Sequence, residues 1–168
     1  MERMVRVEAV LDSWKTVRQD TAQAVLDMPD LDFQPTPDLM KFRDLAVHTL
    51  NAGHALIGLL LDRVDNMATP EFRERMSTYF LSIAPDADQQ TIAEALRSAI
   101  AADNERLRSQ DTQFWSQIIT RFDGQQVTRL EMLQFSKEHE LTHRSQMFMY
   151  LRLKGIVPPT TRRKLAKK

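Results

Sequence analysis

Cysteine is absent from the 168-residue chain, which removes disulfide frameworks, zinc ribbons, iron–sulfur sites and thiol nucleophiles from consideration. Glycine occurs only four times, and strand-like alternation of apolar and polar residues is scarce. Neither charge dominates. With 23 basic and 23 acidic side chains the formal net charge is zero, so no broad electrostatic attraction to nucleic acid is expected. Long hydrophobic runs are missing too: Ala55 to Leu61 is the longest, against the roughly 20 residues of a bilayer span. The start, Met1-Glu2-Arg3 with Arg6, has no apolar stretch and shows no secretory signal. These absences predict one soluble, cytoplasmic domain, long enough to bury a proper core.

What is present is helical periodicity. From about residue 3 to 28, apolar side chains recur every three or four positions, through Val7, Val10, Leu11, Trp14, Val17, Val25 and Met28. Pro35 and Pro37 forbid a continuing helix. A second helix is expected to start near Asp38 to Lys41, with a stripe at Leu45, His48, Ala52, Ala55 and Leu59, the spacing of a bundle seam. Residues 70 to 81 read as a shorter connecting helix. The third long helix is expected to open with a Thr91–Glu94 capping box and to carry its stripe on through Asp103, Gln110, Phe114 and Ile118, ending before Gly124. A second capping box, Thr128 with Glu131, opens the fourth, which runs to Gly155 at a position suited to a positive-φ cap. Ile156 to Pro159 should leave in extended form. Together these elements predict an all-α four-helix bundle over residues 1–159, with a long, partly helical connection between helices 2 and 3. Residues 160–168 form a basic tail, Arg162 to Lys168, expected to be a solvated end.

Four histidines carry the chemistry. His139 and His143, four apart, point the same way from one helix, a geometry in which two imidazoles can share a metal ion. At about 100° per residue they fall on the face of Met132, Phe135, Gln146 and Tyr150, toward the bundle core. His48 falls on the core stripe of the second helix, whereas His54 lies about 120° around from it. Buried imidazoles need partners. One divalent ion would supply them; so would ordinary backbone or carboxylate partners, and spacing alone leaves both readings open.

The run His139-Glu140-Leu141-Thr142-His143-Arg144-Ser145-Gln146, followed by Tyr150-Leu151-Arg152 and by Gly155 and Pro158-Pro159, resembles the last helix of the DinB/YfiT-like family. Members carry H-x-x-x-H-R-x-Q, then Y-L-R, a glycine and prolines, and many have Gly where this chain has Ser145. Phe42-Arg43-Asp44-Leu45-Ala46-Val47-His48 resembles the family's second-helix start. The resemblance implies an up-up-down-down bundle, a homodimer, and one divalent transition metal (Zn, Ni, Mn or Fe) held by His48, His139 and His143.

Three neutral ligands leave the ion's charge uncompensated, so a bound water or thiol would lose its proton readily. Metal-dependent transfer of a small bacterial thiol onto an electrophilic small molecule is the favoured activity, since relatives include thiol S-transferases. A metal-dependent hydrolase, and a non-catalytic metal-binding or interaction bundle, are the alternatives. Gln146 and Tyr150 could hydrogen-bond substrate, Asp103 could act as acid, base or extra ligand, and Asp44 could orient His48 through its distal nitrogen. Neither membrane nor nucleic acid is expected as a partner.

Overall fold

The computed structural model describes residues 6–167. Its elements are α1 (Val7–Asp27), α2 (Phe42–Leu61), α3 (Phe72–Ser77), α4 (Gln89–Arg108), α5 (Thr112–Ser116), β1 (Ile118–Thr120), β2 (Gln126–Thr128), α6 (Arg129–Leu153) and α7 (Pro159–Leu165). The fold is all-α apart from one small hairpin. The expected beginning of the first helix, residues 3 to 5, lies outside the described residues.

The four long helices pack side by side, α1 against α4 and α6, and α2 against the same two. Their directions can be read from the side chains that join them. Arg18 bonds the Leu96 carbonyl and Asn104 that of Leu11, so α1 and α4 run oppositely. Trp14 meets Glu140 and Asp20 meets Arg144, so α1 and α6 run together. Arg43 bonds the Ala87 carbonyl and His54 bonds Asp103, which makes α2 parallel to α4. The order is therefore up-down-down-up, a correction to the expected up-up-down-down. An up-up-down-down chain needs a long crossover between its first two helices; here residues 28–41 simply turn back, and the segment 62–88 alone returns along the bundle.

Local signals explain most boundaries. α2 starts at Phe42, later than expected, because Asp38 to Lys41 belong to the turn that precedes it. α4 is capped by Asp88, whose carboxylate accepts from the Thr91 amide at 2.8 Å, in place of the expected Thr91–Glu94 box. It also ends at Arg108, well before Gly124. Asp111 caps the short α5 through the Phe114 amide, drawing Phe114 out of the stripe, and Ile118 goes to a strand where it is exposed. β1 and β2 pair antiparallel, Ile119 opposite Val127, around Gly124 at φ +85°. The Thr128–Glu131 capping box forms in full, and Gly155 takes φ +73° after α6. The tail is exposed over Arg162 to Lys167, as expected, yet it is helical, with proline in its first turn, and tied to α1 by Arg163–Asp20 and Arg162–Asp27 ion pairs.

Two apolar cores fill the bundle. One gathers Val25, Met28, Phe42, Leu50, Leu96 and Leu151; the other gathers Leu11, Trp14, Ile57, Leu60, Leu107 and Met132. Between them, on α1 and α6, lies a buried polar layer. Arg18 and Glu140, 2% and 1% exposed, pair at 2.8 Å, and Glu140 also accepts from Trp14 Nε1 and Thr21 Oγ1. Gly53 of α2 makes room for this layer, since a Cβ there would stand 3.0 Å from Arg18 Nη2 and 3.2 Å from the Trp14 ring. By length and composition α2 could cross a bilayer, but 72% of its apolar window is buried within the protein, as befits a core helix.

Candidate metal centre

His48 from α2 and His139 and His143 from α6 converge at the height of the polar layer. One ring nitrogen of each lies within 4.8 Å of the other two. The ring centroids are 4.4 to 5.3 Å apart, all edge to face. All three imidazoles are half-buried.

The donor set fits a divalent ion. His143 Nδ1 stands 2.7 Å from Gln146 Oε1, an acceptor, so Nδ1 donates to it and Nε2 is the nitrogen turned toward the other two rings. That Nε2 faces His139 Nε2 at 3.1 Å. Burial, reinforced by the neighbouring His143 and His48, pushes the His139 imidazole down to about 4, with Glu140 opposing. Burial and His143 lower His48 as well. Both rings are thus neutral at physiological pH, the form that binds metal.

The other candidates are distributed differently. Gln146 stands beside His143 and orients it, the outer role expected of Asp44. Asp44 is exposed in the first turn of α2 and makes no hydrogen bond to His48; a carboxylate there suits the positive helix end instead. Tyr150 is buried against Phe33 and Phe42, its hydroxyl donating to the Met40 carbonyl at 3.0 Å. Asp103 bonds His54 Nδ1 at 2.8 Å and does not join the three histidines. Glu140 was missed by sequence reasoning as a structural residue. It completes an H-E-x-x-H pattern, in which the glutamate would act as base, yet its position about 100° from His139 turns it to Arg18. The available signal was that angle together with Arg18, a basic residue on the apolar face of α1.

A cavity of about 540 Å³ opens beside His48 and His139. Its far wall comes from the segment after α2 and from the hairpin, which are tied together where the Met67 amide donates to the Thr120 carbonyl and the Thr120 amide to that of Asp65.

Comparison with known proteins agrees with the fold and the motif. No curated protein matches the chain. Among solved structures it is similar to the DinB-like protein YjoA from Bacillus subtilis, at TM-score 0.67 and 17% identity, over 88% of this chain and 92% of that one. The model of the DinB family matches residues 1–167. With that match over nearly its whole length, the chain belongs to the DinB family.

Proposed function

We propose that the protein is a metal-dependent enzyme that transfers a low-molecular-weight thiol onto an electrophilic small molecule at its three-histidine centre. The observation that carries this reading is the convergence of three imidazole nitrogens within 4.8 Å of one another, two of the rings at the wall of a cavity. His48, His139 and His143 would hold the ion, with Gln146 fixing the His143 ring. A divalent transition ion supplies Lewis acidity that makes a thiol nucleophilic at neutral pH. The sulfur would bond to the electrophilic carbon of the acceptor as the leaving group departs, the thiol proton passing to solvent.

Hydrolysis assisted by a carboxylate base is disfavoured by the lack of a carboxylate at the centre among the described residues. Such attack calls for a free general base, and Glu140, the carboxylate next in sequence to His139, is bound to Arg18, Trp14 and Thr21. The same reading places the chain in the cytoplasm as a homodimer, with exposed Met149 and Leu153, one turn apart on α6, as apolar surface for a second copy.

Elemental analysis of untagged protein purified without chelators tests the centre. About one equivalent of a transition metal is expected, lost in a His139→Ala, His143→Ala double variant. Thiol consumption with electrophilic acceptors then tests the activity. A native protein that neither contains metal nor takes up added Zn or Ni sinks the reading.

A further inference from the structure

The cavity beside the histidines has a distinctive composition. Phe72 of α3 stacks on Phe122 of the hairpin, 5.3 Å between centroids at 25°, and Phe122 meets Phe135 of α6 at 5.5 Å. Three aromatic rings from three elements thus form one continuous wall. Leu56, Met67 and Met76 continue the apolar lining. Phe122 is 39% exposed, apolar surface that a ligand in the cavity would cover. The volume falls within the roughly 300–1,000 Å³ of small-molecule sites.

Among the described residues, Arg73 is the only one lining this space that carries a permanent charge. Among the described residues no carboxylate lies within 4.0 Å of its guanidinium. Arg121, by contrast, is committed to Asp123 at 2.6 Å and lies over the Phe135 ring at 5.0 Å. An aromatic wall selects planar apolar groups by stacking and area, and a free guanidinium selects planar anions, carboxylate above all.

We infer that the cavity binds an aromatic carboxylate, its ring against Phe72, Phe122 and Phe135 and its carboxylate on Arg73. This assignment rests on the reading of the three-histidine centre as the reaction site and names the class of acceptor delivered to it. The hairpin and the α2–α4 connection are therefore the specificity elements of the site, while α2 and α6 supply its chemistry.

Isothermal titration calorimetry with 2-naphthoate and its uncharged counterpart 2-naphthalenemethanol tests the assignment, on metal-stripped and Zn-loaded protein, with metal content measured on the same samples. Both compounds should bind the metal-stripped protein. Phe122→Ala should weaken both, and Arg73→Gln should weaken naphthoate alone by about tenfold, the worth of one charge-assisted pair. Thermal melts establish that each variant is folded. Absence of naphthoate binding, or an affinity that neither variant moves, overturns the assignment. Full metal content without naphthoate binding would refute the ligand class and leave the metal centre standing. Naphthoate binding as expected, in protein that takes up no metal, would refute the centre and leave the cavity assigned.

Discussion

His48 and His54 stand within two turns of each other on α2 and meet different surroundings. His54, 22% exposed, is held by Asp103, a carboxylate 3% exposed on α4, at 2.8 Å. That is a satisfied histidine: its polar edge has a charged partner and nothing further is required. His48 faces two other imidazoles and no carboxylate. His139 Nε2 stands 3.1 Å from His143 Nε2, and one N–H serves one lone pair, so three converging ring nitrogens cannot all be satisfied among themselves. The difference teaches what separates a packed histidine from a metal ligand: the chemistry of what it faces. Burial does not distinguish them, and neither does membership of a helix.

The comparison can be tested hardest at the carboxylate that lies closest in sequence to the centre yet serves another partner. Glu140→Ala would strand the Arg18 guanidinium in the core and should cost about 3–5 kcal/mol in urea unfolding, with Glu140→Gln costing less. Were Glu140 instead a base for the centre, activity would fall with little loss of stability. Next in size is the outer partner of His143. Gln146→Leu should weaken metal affinity roughly 10- to 100-fold, read by competition with a chromophoric chelator, while the melting temperature of the metal-free protein barely moves.

Asp103→Asn tests the other histidine. It should lower stability by about 1–3 kcal/mol through a weakened buried bond and leave metal content unchanged; a loss of metal would place His54 and Asp103 in the centre after all. Acid stability gives the last test. His139 titrates near 4 in the folded chain against an ordinary 6.5, so between those values the unfolded chain binds a proton that the native one does not. Stability should be level above about pH 6.5 and decline as pH falls toward 4, where the buried ring must charge. His139→Ala should flatten that slope in melts of metal-free protein, and bound metal should shift the decline to lower pH by competing with the proton.

Much of this was legible along the chain. The stripe through Leu45, His48, Ala52 and Ala55 set the face of α2, and the four-residue step from His139 to His143 set the geometry of α6, because helical period is a local property. The Thr128–Glu131 cap and Gly155 were legible for the same reason: each satisfies or frees backbone groups within one turn. The stripe of the third helix misled. Phe114 and Ile118 continue its period, yet Asp111 offers a competing cap and the hairpin draws the backbone away, and apolar spacing alone cannot weigh one against the other.

By itself, then, the sequence determined the helical class, the long helices, and the three histidines that share a face with the core. Tertiary structure alone decided the direction of each helix, the pairing of Arg18 with Glu140, the choice of Gln146 over Asp44 as the residue that orients a ring, and the aromatic wall with Arg73. These rest on contacts between residues far apart in the chain, such as Trp14 with Glu140 or Phe72 with Phe122. Their formation depends on how whole helices cross and where connections return, which no periodicity within a single segment encodes.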